Sequence, residues 1–154
     1  MFVPDYRLEY IFSYTSHIRP PPEMIGRVPG GVRASFYTIG GEAHGPKVKG
    51  TFVPARAHWA ILRRDGIAIL DVRAAVETAD GALIHLPWTG VADLGPDGYK
   101  RFLRGEVPPR LSLRGVPRFR TSHPSYLWLN RLQCLNVGEV DMATGVANYD
   151  VYAA

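Results

Sequence analysis

Apolar and polar residues alternate along most of this chain, and this period of two constrains the fold more than any other feature. In residues 8–15, apolar side chains occupy every second position, which is the pattern of a half-buried strand. Pairs such as Asp65-Gly66 and Asp80-Gly81 separate alternating runs, and Asp-Gly between such runs is a strong hairpin signal. The sequence therefore predicts antiparallel strands joined by tight turns.

About ten strands are predicted in this way. They cover residues 8–15, 32–39, 47–53, 58–63, 67–78, 82–88, 110–114, 118–121, 126–137 and 146–152. One segment differs, because residues 96–105 place Tyr99, Phe102 and Leu103 at helical spacing, between Pro96 and Gly105. This segment predicts a short helix or lid.

Many antiparallel strands with almost no helix to cover them favour a sheet that closes on itself. The 16 glycines and 13 prolines suit short strands and turns better than helices. We therefore predict an all-β fold, a small closed antiparallel β-barrel forming a single domain over residues 1–154, with a sandwich as the alternative. A barrel of this size can hold one small ligand, so its inward faces are where we look for function.

Cysteine content and charge exclude several classes. A single cysteine, Cys134, permits no intramolecular disulfide and fits a reducing compartment. The chain shows neither a signal peptide nor a run of about 20 apolar residues, so we expect a cytoplasmic protein with no membrane segment. The five histidines lack metal-ligand spacing, and no phosphate-binding loop is present. We predict neither a metal nor a cofactor.

Arginine outnumbers lysine 15 to 3, and a basic cluster contains Arg110, Arg114, Arg118 and Arg120. Such a cluster could follow a phosphate backbone. The net charge of +4 is modest, however, and Phe119 is the one aromatic residue within the cluster that could stack on a base. We therefore expect no nucleic-acid partner.

The segment 67–78 has one continuous apolar face and one mixed face that carries Asp71, Arg73 and Glu77. The simple interpretation of the mixed face is a solvated surface with an ion pair. The functional interpretation places these side chains in the barrel interior. There an arginine could orient a carbonyl or carboxylate oxygen, and a carboxylate could act as an acid or base.

Two further groups of residues contain candidate functional side chains. Alternation aligns Tyr126, Trp128 and Asn130 on one side of a predicted strand, either as ordinary core or as the wall of a ligand pocket. His58, next to Trp59, is the other candidate acid or base, because an unperturbed imidazole titrates near neutrality. A lone histidine in a strand is nevertheless more often structural.

An ordered series of motifs resembles the bacterial and fungal family named domain of unknown function 3237, over roughly residues 8–152. The motifs are Gly31-Val-Arg33, Gly40-Gly-x-x-x-Gly-Pro46-x-x-x-Gly50, Trp59, Arg64-Asp-Gly66, Leu70-Asp-Val-Arg73, Glu77-Thr-x-Asp-Gly81 and Trp128-Leu-Asn130. The resemblance implies a calycin-like or lipocalin-like barrel of about 8–10 strands with a central pocket, self-associating as a homodimer. It also implies that the pocket is lined by residues at recurrent motif positions, namely Arg33, Asp71, Arg73, Trp128 and Asn130.

The sequence departs from the family pattern at two places. Arg56-Ala-His58-Trp59 stands where Gly-Ala-Asp-Trp is usual, and Phe119-Arg120-Thr121 stands where Phe-Glu-Thr is common. If the family aspartate is an acid or base, the departure implies either that His58 takes that role with a different pH optimum or that the activity has changed.

The predicted function is that of a cofactor-independent isomerase, cyclase or lyase. It would act by proton transfer on a small apolar oxygenated molecule, such as an aromatic or polyketide-like carbonyl compound. Arg33 or Arg73 would stabilise an enolate-like oxygen, and Asp71 or His58 would move the proton. The other predicted substrate contacts are Tyr37, Trp59, Glu77, Tyr126, Trp128 and Asn130. The alternative is a non-catalytic binding or carrier protein for a hydrophobic metabolite.

Overall fold

The computed structural model describes residues 1–154 and confirms the all-β prediction. It contains one short helix, α1 (Gly98–Leu103), and one 3-10 helix (Pro124–Arg131). The ten strands are β1 (Glu9–Ile18), β2 (Glu23–Val28), β3 (Gly31–His44), β4 (Gly50–Phe52), β5 (Arg56–Leu62), β6 (Ile67–Thr78), β7 (Leu83–Asp93), β8 (Arg110–Pro117), β9 (Cys134–Asp141) and β10 (Val146–Ala153).

The strands form a closed eight-strand antiparallel barrel. Neighbours follow the order β1, β10, β9, β8, β7 and β6, and β1 also pairs with β3, which closes the ring. Between β6 and β3, the strands β4 and β5 lie end to end and together fill one position. The remaining strand, β2, pairs with β3 alone and extends the sheet beyond the barrel.

Strand β6 shows why the chain closes in this way. The continuous apolar face predicted for this strand is buried at every position, and its residues are Ala68, Leu70, Val72, Ala74 and Val76. Successive side chains on a strand point to opposite faces, so this apolar face is turned inward along the whole strand. Burial of each valine or leucine side chain contributes about 1.5–3 kcal/mol, and this face therefore anchors β6 in the barrel wall.

Aromatic rings fill one half of the interior. Tyr14 stacks on Tyr149 with ring centroids 4.5 Å apart, and Phe12 packs against Phe119 at 5.6 Å. Trp88 joins this group through an edge contact with Tyr149 at 5.6 Å. We call this group the aromatic floor, because it leaves a mostly aliphatic-lined space in the other half of the barrel.

Three local predictions are wrong. Residues 126–137 do not form one strand, because Pro124 begins a 3-10 helix and the His123 ring accepts a hydrogen bond from the Ser125 amide at its start. Residues 118–121 form only an isolated bridge between Arg120 and His85. Strand β2 was missed, because a register shift before Gly26, at φ +99°, breaks its alternation.

The helix at Gly98–Leu103 agrees with the predicted short helix or lid. It is far too short to cross a bilayer, and neither it nor the 3-10 helix is a candidate membrane span.

Candidate functional site

The interior of the barrel contains a cavity of about 90 Å³ beside the aromatic floor. Of the 18 residues that line it, 17 are hydrophobic, and the exception is His58. A space of this size corresponds to roughly three water molecules at the density of the liquid. A short chain therefore fits, whereas a multi-ring molecule does not.

The sequence of β5 places His58 at the junction of the cavity and the aromatic floor. In the sheet register His58 lies opposite Val72, and Val72 lies opposite Trp88, so the three residues form one inward-facing row. Burial alone lowers the pKa of His58 to about 4, with no contribution from a hydrogen bond or a neighbouring charge. The imidazole is therefore neutral at pH 7, and its nitrogens are free to contact a ligand.

Two phenols lie in the floor, and one of them, Tyr149, also lines the cavity. The Tyr14 hydroxyl accepts a hydrogen bond of 3.0 Å from the Asn136 side-chain amide. Burial raises the pKa of both Tyr14 and Tyr149 above the ordinary value. The Tyr149 hydroxyl is buried without a hydrogen-bond partner. Both phenols remain protonated, so the floor supplies no charge to the cavity.

Helix α1 and the segment after it cover the other end of the cavity, through Phe102 and Val107. Val107 is 37% exposed, so this covered end also reaches solvent. Glu106 accepts hydrogen bonds from the Nε atoms of Arg101 and Arg104, at 3.2 and 2.9 Å. These ion pairs tie the turn to the helix, which gives the barrel a structured cap.

The prediction that Asp71, Arg73 and Glu77 face the barrel interior is wrong. These residues alternate with the buried face of β6 and point outward, where their charges stay hydrated. The Arg73 Nε atom donates to the Asp71 carboxylate at 3.0 Å, and the two side chains are 53% and 49% exposed. The simple interpretation of this face, a solvated ion pair, is the correct one.

Arg33, Tyr37 and Trp59 share the outward-facing surface with the Asp71–Arg73 pair. Trp59 lies opposite Asp71 in the register of β5 and β6, and the Tyr37 hydroxyl donates to Glu23 at 3.2 Å. None of these residues lines the cavity. The expectation that Arg33, Asp71 and Arg73 line the central pocket is therefore wrong, whereas any function of this outer surface stays a prediction.

Of the three predicted residues of the 3-10 helix, Tyr126 and Asn130 attach the helix to neighbouring segments, whereas Trp128 bonds within the helix itself. The Tyr126 hydroxyl donates to Asp80 at 3.1 Å, and the Trp128 indole donates to the Ser125 carbonyl at 3.2 Å. The Asn130 side-chain oxygen accepts a hydrogen bond from the Thr121 amide, and the Asn130 side-chain nitrogen donates one to the Thr121 carbonyl, both at 2.8 Å. The expectation that Trp128 and Asn130 line the central pocket is wrong, because neither residue is among those that line the cavity.

A second depression, on the outside of the barrel, brings together residues that the sequence did not connect. We call it the outer groove, and it contains Arg56, Glu77, His85, Arg120 and Asn130. Arg56 and Arg120 stand at the two departures from the family pattern. No pattern in the sequence placed His85 beside them, because that contact depends on an isolated bridge between distant segments.

The basic cluster predicted from residues 110–120 does not form a continuous charged track. Arg110 is paired with Glu139. The Arg114 guanidinium is hydrogen-bonded to the carbonyl oxygens of Leu113 and Gly138. Arg120 turns instead into the outer groove.

Fold and cavity together define a class of small closed β-barrels with an apolar interior and one internal histidine. The chain belongs to the family described as protein of unknown function (DUF3237), whose model matches residues 6–154. This confirms the resemblance inferred from the motifs. The UPF0311 protein RPA1785 of Rhodopseudomonas palustris is 34% identical over 138 residues, which cover 88% of this chain and 88% of that protein.

Solved structures share the architecture. The crystal structure of RPA1785, a conserved protein of unknown function, matches with a TM-score of 0.84 at 29% identity, covering 98% of this chain and 99% of that one. A beta-barrel like protein from Acinetobacter baumannii gives a TM-score of 0.81 at 27% identity, with 99% of each chain covered. An enzyme from Penicillium herquei gives 0.64 at 17% identity, again with 99% of each chain covered, and this likeness concerns the fold alone.

Proposed function

We propose that the protein is a cofactor-independent enzyme that moves a proton on a small apolar carbonyl compound held inside the barrel, with His58 as the acid–base group. The observation that carries this proposal is the position of His58. It is the one non-hydrophobic residue lining the cavity, and no hydrogen bond contributes to its pKa. An imidazole in this setting can accept or donate a proton without first breaking an internal contact.

The proposed step removes a proton from the carbon beside the carbonyl group. The neutral imidazole accepts this proton, and the carbon–hydrogen electron pair passes into an enolate. Return of the proton to another carbon gives an isomerisation. Attack of the enolate carbon on a second carbonyl gives a cyclisation, and the alkoxide that forms takes the proton back from His58. Departure of a group with its bonding electrons from the next carbon gives a lyase reaction, and the imidazolium protonates the leaving group. All three begin with the same transfer to His58.

The electrostatics of the cavity limit the substrates that fit this step. Apolar surroundings disfavour an isolated imidazolium, which is why the pKa of His58 is about 4. The reaction, however, creates the imidazolium together with an enolate, and opposite charges attract strongly where water is excluded. A weak base matches a substrate whose proton is already acidic. We therefore favour a carbon flanked by two carbonyl groups, as in polyketide-like compounds.

Two observations support catalysis within this barrel. The covered end of the cavity, with Phe102 and Val107, would let a small ligand be enclosed and separated from bulk water. The fold relative from Penicillium herquei is described as an enzyme. The Asp71–Arg73 pair lies outside the cavity and has no part in the step.

A carrier of small hydrophobic molecules is the second candidate. The lining of the cavity favours a carrier as well, since 17 of its 18 residues are hydrophobic. Such residues can hold an apolar ligand without catalysing a reaction. A carrier requires the cavity and its cap but does not require proton transfer at His58.

Hydrogen–deuterium exchange on a small 1,3-dicarbonyl compound tests the proposal without the natural substrate. The exchange of the central methylene protons of methyl acetoacetate in D₂O is followed by NMR, with wild type, His58→Gln and buffer alone. We expect wild type to accelerate exchange, and His58→Gln to lose about 100-fold of that acceleration. His17→Gln, which removes an exposed histidine, is the matched control. Binding without acceleration by wild type would favour the carrier.

A further inference from the structure

The outer groove gathers charged side chains that the proposed reaction does not use. The outward faces of β6 and β7 form its floor, where Ala75 and Leu83 provide apolar surface. Arg56 borders the groove on one side, and Arg120 borders it from the segment that precedes the 3-10 helix. The groove thus combines a small apolar floor with cationic walls.

The two arginines of the groove have no acidic partner. All six ion pairs of the chain involve other residues, so neither Arg56 nor Arg120 is held in an ion pair. Glu77 also lines the groove and is likewise absent from the ion pairs. A pair of free guanidinium groups facing one depression is suited to a bound oxyanion, because each presents several donors in a planar fork.

Backbone geometry fixes one of these arginines beside a histidine. The His85 amide donates to the Arg120 carbonyl at 2.8 Å, and the Arg120 amide donates to the His85 carbonyl at 3.0 Å. Residues that are paired directly across antiparallel strands present their side chains on the same face. His85 and Arg120 therefore enter the groove side by side.

The positive charge of the groove contributes to a lowered pKa of His85. Partial burial lowers the pKa of His85, and the nearby charges of Arg120, Arg73 and Arg56 lower it further. Arg73 is held by Asp71, which leaves Arg56 and Arg120 as the free cations around the imidazole. An anion bound between them would offset this repulsion and raise the pKa of His85.

We propose that the outer groove binds the carboxylate of a small apolar organic acid between Arg56 and Arg120. The apolar floor would contact the body of the acid. Glu77 repels additional negative charge, so the groove favours a monoanion over a dianion. A nucleic-acid backbone fits less well, because Arg110 and Arg114 are engaged elsewhere and the groove offers only two free arginines. The site is separate from the cavity and does not depend on the chemistry of His58.

Benzoate tests the proposal, with the His85 ring protons followed by NMR in the full-length protein at pH 7 and low ionic strength. We expect saturable shifts, and we expect Arg56→Gln and Arg120→Gln each to weaken binding at least about fivefold. Glu77→Gln should strengthen it by about twofold to fivefold, the opposite sign in the same groove. Arg27→Gln, an exposed arginine on β2, is the matched control and should bind as wild type does.

Several results would overturn the proposal. They include the absence of saturable shifts, shifts of equal size with neutral benzyl alcohol, and benzoate affinity unchanged in both Arg56→Gln and Arg120→Gln. Tighter binding of inorganic phosphate or of duplex DNA than of benzoate would also contradict a carboxylate site. His58→Gln should leave benzoate binding intact, so this test and the exchange test of His58 fail independently.

Discussion

The imidazole of His58 meets the indole of Trp88 edge-on inside the barrel, with ring centroids 6.1 Å apart and ring planes at 68°. Val72 lies between the two residues in the sheet register and is itself fully buried. Tyr149 packs on Trp88 in turn, at 5.6 Å. His58 is thus positioned by packing alone, which leaves both of its nitrogens uncommitted.

The buried imidazole makes stability depend on pH. The unfolded chain binds a proton at His58 near pH 6.5, whereas the folded protein does so only near pH 4, because burial lowers the pKa. Between these values the unfolded state binds more protons, so the free energy of unfolding decreases as pH falls. The shift corresponds to about 3 kcal/mol once the pH is below both values.

Urea unfolding of wild type and His58→Leu between pH 7.5 and pH 4 measures this effect, since other titrating groups cancel in the difference. We expect wild type to lose stability relative to His58→Leu as the pH falls below 6.5. Parallel curves for the two proteins would show that His58 does not titrate with a lowered pKa.

Gly115 makes room for the aromatic floor. A Cβ atom at this position would overlap the Trp88 ring and the Asn136 side-chain oxygen. We expect Gly115→Ala to destabilise the protein by about 1–3 kcal/mol, because a packed interior accommodates an added methyl group only by strain. Thermal or urea unfolding measures the change. Gly40→Ala on β3 is the control, since nothing lies within 4 Å of its Cβ position. An equal effect of both substitutions would contradict the packing argument.

Asn130 attaches the end of the 3-10 helix to the barrel through its two hydrogen bonds with Thr121. We expect Asn130→Ala to lower the free energy of unfolding by about 1 kcal/mol, because the site is exposed and water replaces part of the lost bonding. Amide exchange of Thr121 should accelerate in the variant, since its N–H loses its acceptor. Unchanged protection of this amide would contradict the assigned bond.

The Asp71–Arg73 ion pair is exposed, and such pairs contribute less than about 1 kcal/mol. We therefore expect Asp71→Asn and Arg73→Gln to change stability only slightly. They should also keep the acceleration of methyl acetoacetate exchange within about twofold of wild type, because both side chains lie outside the cavity. Loss of exchange activity in these variants, with His58→Gln still active, would indicate that the reaction takes place on the outer face of the barrel.

The period of two in the sequence predicts the fold and the buried face of β6 correctly, because the alternation of apolar and polar residues determines which face of a strand is buried. It was not sufficient for the 3-10 helix. Tyr126, Trp128 and Asn130 alternate as in a strand, but Pro124 and the capping His123 determine the local backbone. Local backbone preferences prevailed there over side-chain alternation.

The candidate site was predictable only in part. His58 is predicted as a candidate acid or base from its side-chain chemistry alone, whereas the functional interpretation of β6 places its charged residues inside the barrel, where the structure does not have them. Ile67 and Ile69, which share their face, are half-buried in the structure although that face points outward. Partial burial on an outer face depends on neighbouring strands, and the sequence of one strand carries no information on them. The contact of His85 with Arg120 could not be predicted either, because it also depends on how distant segments pair.

The proposed function requires the ligand to lie in the barrel cavity beside His58. Intermolecular nuclear Overhauser effects between methyl acetoacetate and the protein detect this position. We predict contacts from the ligand methyl groups to the His58 ring and to Phe102, and their loss when a bulkier residue fills the cavity in Ala60→Leu. Contacts to the outer surface around Trp59 and Arg73, with none to His58, would contradict the proposed function.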